Sequence, residues 1–154
     1  MPGARLTERA DFHIRGKILS KRRYRWDKLA VVAPWDFALG WGATSDEALL
    51  GSARVIQGDR FMFWHLYDSP LTPHTAARSS ANIHLIPENP RLLAALAQIP
   101  EGAIVELSGR LVDVTLAEGA RIRTSLSRRD VGAGACEILH VSAVKVVRAA
   151  APRG

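Results

Sequence analysis

Phe12, Ile14, Gly16 and Ile18 alternate with His13, Arg15 and Lys17. That period of two puts one face of a strand on a core and the other in solvent. Lys28 to Val32 reads as a second, short strand. Pro34 suits the first turn of a helix and Gly40 a stop, so Pro34 to Gly42 is predicted as a short helical turn or ordered loop. Ser45 is placed to cap a second short helix through Leu50, closed by Gly51. Arg60 to Tyr67 is apolar or aromatic on both faces, the pattern of a central strand. Pro70 and Pro73 then break the chain, and Ser80 to Ile86 is extended. Asn89-Pro90 ahead of Leu92, Leu93, Leu96 and Ile99 is the clearest helix: an N-cap, a proline at the next position, and four apolar residues on one face.

The last third reads as three strands. Val105, Leu107, Gly109 and Leu111 share a face, after which the apolar phase flips to Val112, Val114 and Leu116. A flip beside a glycine in a long strand is the mark of a bulge. Glu118-Gly119 supplies a turn into Arg121–Leu126, and Cys136 to Val147 changes phase near Ala143-Val144. These features predict a mainly β fold with one or two short helices: a small closed or partly open antiparallel barrel like the oligonucleotide/oligosaccharide-binding (OB) type. Residues 11–148 form one domain in this reading, with 1–10 and 149–154 as flexible ends.

Composition narrows the picture modestly. The 154 residues, 47% hydrophobic and 23% charged, suffice for one ordinary core without disulfide or metal staples. A single cysteine rules out a cysteine-rich zinc site and an internal disulfide. The net charge of +6 is uneven: Lys21, Arg22, Arg23, Arg25 and Lys28 cluster, and Arg121, Arg123, Arg128 and Arg129 form a second group. No apolar run reaches membrane-spanning length, and the charged stretch Met1–Asp11 is no signal peptide. The chain reads as cytoplasmic if complete and as exported if a leader has been removed.

Candidate chemistry follows from residue types. Arg22, Arg23, Tyr24, Arg25 and Trp26 interleave cations with rings, as a single-strand nucleic-acid face does. Trp35 and Trp41 could line a groove for a base or sugar, though large aromatics more often plug a core. Asp36, Asn82, His84 and Glu137 are the catalytic candidates, with Asp130 a further carboxylate in a stretch of unusual punctuation. The commoner role of such groups is to cap turns. Cys136 with His84 has the residue types of a thiol–imidazole pair, but a cysteine opening an apolar strand is usually buried and inert. The five histidines lack zinc-site spacing, and Gly132-Ala133-Gly134 precedes a strand and lacks the lysine of a phosphate loop, so no metal or cofactor is expected.

Asp36-Phe37-Ala38-Leu39-Gly40-Trp41-Gly42, His84-Leu85-Ile86-Pro87 and Gly134-Ala135-Cys136-Glu137 together resemble short stretches of a family of uncharacterised bacterial proteins, many predicted to be exported or membrane-anchored. The resemblance implies a shared fold and no particular activity. Three functions stay open at this point. The first is a non-enzymatic barrel that binds protein or single-stranded nucleic acid. The second is a small hydrolase with its site near Asp36, Asn82, His84 and Glu137. The third is a subunit of a larger assembly or oligomer.

Overall fold

A computed structural model describes residues 3–126 and 136–150. Eight strands carry the fold: β1 (Ala4–Arg23), β2 (Trp35–Gly40), β3 (Arg54–Gly58), β4 (Phe61–His65), β5 (Ser80–Pro87), β6 (Ile104–Leu116), β7 (Arg121–Ile122) and β8 (Glu137–Arg148). The α-helices among the described residues are α1 (Glu47–Leu50), α2 (Pro73–Arg78) and α3 (Pro90–Gln98). Five strands close a ring in the order β1-β2-β5-β8-β6, with β6 paired back to β1, an arrangement that fits a partly open barrel. Along the other edge of β6, β8 pairs as far as Leu111, and β7 takes over at Val114–Thr115.

The ring is filled by Ile14, Ile18, Phe37, Leu39, Ile83, Leu85, Val105, Leu107, Leu139 and Val141, so every ring strand contributes. Leu96 and Ile99 of the α3 region close one end. α3 is held there by Lys21, whose ammonium donates to the carbonyls of Leu96, Ala97 and Ile99 at 3.1, 3.0 and 2.6 Å. A cation on the last carbonyls satisfies acceptors that a helix leaves open and suits its dipole. A second apolar cluster, with Leu29, Val32, Ile86, Val114 and Ile138, packs outside the ring.

Several expectations are corrected. The ring is not wholly antiparallel, because β5 and β8 run parallel, from Ile83↔Glu137 to Pro87↔Val141. Pro34–Gly42 is not helical: Trp35–Gly40 is strand β2, whose short apolar run is buried on both faces and so carries no period to read. Lys28–Val31 is a 3₁₀ turn, capped by Asp27 through the amide of Ala30, and not a strand. Arg60–Tyr67 is not central; β4 pairs only with β3, in a separate two-stranded hairpin with alternating exposure. The prolines near residue 72 do more than break the chain, since the Thr72 side chain caps α2 and Pro73 begins it. Residues 4–10 are not loose but belong to β1, paired with β6 from Ala4↔Leu116 onward. The Asp46 side chain, not Ser45, caps α1. Regular pairing of β7 covers only Arg121–Ile122 of the strand expected to reach Leu126.

The expected phase change of β8 falls at a bulge, where the register steps from Ser108↔Ala143 to Gly109↔Val141, while that of β6 at Leu111–Val112 lies where its pairing with β1 steps from Ala10 to Glu8. A Cβ on Gly109 would run into the carbonyl oxygen of His140. Gly109→Ala is therefore expected to cost about 1–3 kcal/mol, because a rigid backbone oxygen must move. Urea unfolding measures it; an unchanged midpoint would mean the strands cross more loosely there.

Candidate functional site

Asp36 of β2 lies directly opposite His84 of β5, and Ala38 opposite Asn82. Alternation puts Asp36, Asn82 and His84 on one face, the outer one, because Phe37, Leu39, Ile83 and Leu85 between them fill the ring. The parallel β5–β8 register aligns His84 with Ile138, so Cys136, two residues earlier, falls on the same outer face. Glu137 aligns with Ile83 and faces the other way. The structure thus gathers Asp36, Asn82, His84 and Cys136, and sets the fourth catalytic candidate, Glu137, on the opposite side of β8.

The β3–β4 hairpin lies over this face. Its turn is two residues, Asp59 and Arg60, with φ of 50° and 69°. Both are left-handed, as a tight type I′ hairpin turn requires, yet neither is the usual glycine or asparagine. Arg60 repays that strain through its hydrogen bonds. Its Nη1 donates to Asp36 Oδ1 at 2.7 Å, its Nε and Nη2 to the Asp27 carboxylate at 2.7 and 2.9 Å, and its Nη2 also to the Ala33 carbonyl at 2.8 Å. Its backbone N–H donates to the Tyr24 hydroxyl at 3.0 Å, and its guanidinium lies 4.0 Å from the Tyr24 ring centre.

Asp36 is fully buried. Besides Arg60 it accepts from Asn82 Nδ2 at 3.0 Å and from His84 Nδ1 at 2.9 Å. Asn82 Nδ2 also donates to the Arg60 carbonyl at 3.1 Å, while its oxygen accepts from Gln57 at 2.8 Å. The amide is fully used in positioning its neighbours. With Nδ1 on Asp36, the His84 ring also interacts with Cys136, which favours its charged form. The same sulfur is 3.7 Å from the Arg60 carbonyl oxygen. The thiol donates to that carbonyl.

Burial opposes a charged His84, but the hydrogen bond to Asp36, then the one to Cys136, then the charges on both, outweigh it and raise its pKa to about 9. The imidazolium is the favoured form at neutral pH.

A second buried carboxylate, absent from the sequence-based candidates, positions Cys136 from behind. Asp113 accepts from Arg9 at 2.9 Å, Arg121 at 3.0 Å and the Thr124 amide at 3.0 Å. Thr124 Oγ1 then accepts from the Ile138 amide at 2.9 Å, and the Ser125 amide donates to the Cys136 carbonyl at 3.0 Å. The backbone that follows the thiol is thus tied to the segment beyond β7.

The other candidates scatter. Trp35 and Trp41 sit at opposite ends of β2 and both pack on the ring core, so they do not form one groove. The Trp35 face takes Lys21 at 4.6 Å and Arg23 at 5.7 Å. Tyr24 is occupied by Arg60, while Arg22, Arg25 and Trp26 are exposed, Trp26 to 93%. Asp130 and Gly132–Gly134 lie outside the described residues. Among those described, no helix is long and apolar enough to cross a membrane, and no group of three or more His, Cys, Asp or Glu is arranged to hold a metal ion. Arg60 and Gln57 were not foreseen, because a turn lacking glycine at its centre hides a hairpin. Comparison with protein-family models, curated proteins and solved structures finds no match.

Two outcomes follow from this electrostatic arrangement. A histidine whose pKa is raised on folding, from 6.5 to about 9, contributes stability that is complete below pH 6.5 and lost as pH rises through 9. Denaturation midpoints should fall across that interval, and His84→Gln should flatten the fall; an equal slope in the variant would assign the dependence elsewhere. Arg60→Ala takes from buried Asp36 one of its two cationic partners, leaving His84, and should cost about 3–5 kcal/mol, with part recovered in the Arg60→Ala/Asp36→Asn double variant. Additive losses in that double-mutant cycle would show that the pair is not coupled.

Proposed function

We propose that the chain is a cysteine-dependent enzyme of acyl transfer or hydrolysis, in which Cys136 is the nucleophile, His84 the acid and base, and Asp36 the carboxylate that orients the imidazole. One observation carries the reading: Asp36 holds Nδ1 of His84, and the same ring interacts with Cys136. A nucleophile, a base and a group that orients the base form the constellation that acyl transfer needs. A single cysteine leaves no resolving thiol for internal disulfide exchange, which favours acyl chemistry over redox.

The steps balance as follows. The Cys136 thiolate attacks the carbonyl carbon of an ester, thioester or amide. The tetrahedral adduct collapses as the imidazolium protonates the leaving group, leaving an acyl thioester on Cys136. Neutral His84 then takes a proton from water, the resulting hydroxide attacks the thioester, and the carboxylic acid departs with thiolate and imidazolium restored. Asn82, Gln57 and Arg60 position these groups and carry no step themselves.

The ring around the site supports an OB-like scaffold: five strands with one helix, α3, between β5 and β6. On it, Cys136 opens the last ring strand, and the hairpin delivers Arg60 from outside the ring.

The test is modification of Cys136 by iodoacetamide, and acylation by a small activated thioester, each followed by intact mass against pH. Cys136 of the native chain should be acylated, and His84→Gln should slow acylation by about 100-fold or more while circular dichroism shows the fold intact. Acylation that ignores His84→Gln would make the network structural only.

A further inference from the structure

A cleft of about 480 Å³ opens at the other end of the β3–β4 hairpin, between residues 17–20 of β1 and the hairpin's base, with α1 on its rim. Asp36, His84 and Cys136 do not line it. Its size is that of a small-molecule site.

Lys17 lies on the floor of this cleft, with 7% of its surface exposed. A buried ammonium needs an anion close by. The partner is the Glu47 carboxylate, reached from the single-turn helix α1, and the Glu47 side chain is itself 72% exposed. An exposed carboxylate on one helical turn can give way to another carboxylate, because the exchange keeps the buried ammonium paired. Burial pushes the Lys17 ammonium below the ordinary lysine range, while the charge on Asp46 works in the other direction. Glu101, the other acidic wall residue, is already engaged by the Lys21 backbone N–H at 2.9 Å. The apolar wall includes Val55, Leu50 and Trp64, and the indole is fixed by its N–H donating to Ser80 Oγ at 3.0 Å. Arg54 adds a second cation to the lining. With Glu47 swung out, an incoming carboxylate restores the close partner that buried Lys17 loses.

We infer that this cleft is a binding site for a small monocarboxylate with an apolar body, whose carboxylate takes the place of Glu47 on Lys17 while its body lies against Trp64. The Glu47 side chain is then a built-in competitor that keeps the buried cation satisfied when the site is empty.

The probe is 3-phenylpropanoate, with its uncharged amide as control, followed by calorimetry and by amide and indole NMR shifts at Lys17, Val55 and Trp64. The acid should bind saturably and at least about tenfold more tightly than the amide, the weight of one charge-assisted hydrogen bond. Glu47→Gln should tighten binding several-fold by removing the competitor. Lys17→Met, which keeps the stem and removes the buried charge, should weaken it about tenfold at an unchanged or higher Tm. Equal binding of acid and amide, no saturable binding of the acid, or looser binding in Glu47→Gln would each overturn the assignment. The acid–amide comparison and Glu47→Gln decide the matter even if Lys17→Met fails to fold. Binding at this cleft and reactivity at Cys136 are read separately, so either can fail alone.

Discussion

A carboxylate with no exposed surface sits at the junction of three parts of this molecule. Taking an ionised Asp36 out of water costs several kcal/mol unless donors surround it, and its donors come from separate places: His84 and Asn82 from β5, and Arg60 from the tip of the β3–β4 hairpin. A two-stranded hairpin on its own is marginal in water. Here Arg60 and Gln57 tie it to the β2–β5 face, so satisfying one charge also docks the hairpin and covers the site. Arg60 in turn carries the left-handed backbone of its turn with seven hydrogen bonds to its side chain and backbone holding it there.

Asp113 solves the same problem at the other approach to the thiol. It is equally buried, and its donors come from β1, β7 and the segment beyond β7. That segment passes the constraint through Thr124 and Ser125 to the first residues of β8. Cys136 is therefore held between two carboxylate-centred networks, one presenting the imidazole and one fixing the backbone that bears the sulfur.

The sequence made much of the ring legible, and the reasons are local. The alternation in β1, the Asn89-Pro90 start of α3 and the phase flips of β6 and β8 are consequences of period and capping, which a single chain displays. β2 was misread because burial on both faces erases its alternation, and the parallel β5–β8 contact was missed because pairing between distant segments leaves no local trace. Asp36, Asn82 and His84 stood out by their surroundings, but their convergence depends on the β2–β5 register. Arg60 was invisible as a site residue, since its role needs a turn conformation that its own side chain disfavours. Glu137 shows the limit from the other side. It adjoins Cys136 in sequence, and the alternation of β8 sends it to the opposite face.

Buried ionic networks alone are weak evidence for stability, because apolar side chains of similar volume often hold a fold as well or better. A purely structural account of Asp36 explains Arg60 and Asn82, both of which spend their polar groups on fixing the hairpin. It does not explain why the next group along is a titratable ring that also interacts with a half-buried thiol. Ile138 and Ile86 on the same outer face are packed in an apolar cluster, so an aliphatic residue at position 84 would fit the local pattern. A histidine there costs desolvation that the Asp36 and Cys136 contacts must offset, and what that arrangement gains is a proton donor held against a sulfur. The chemistry proposed for Cys136 rests on that asymmetry: the carboxylate is over-satisfied for structure, and the imidazole is placed for something else.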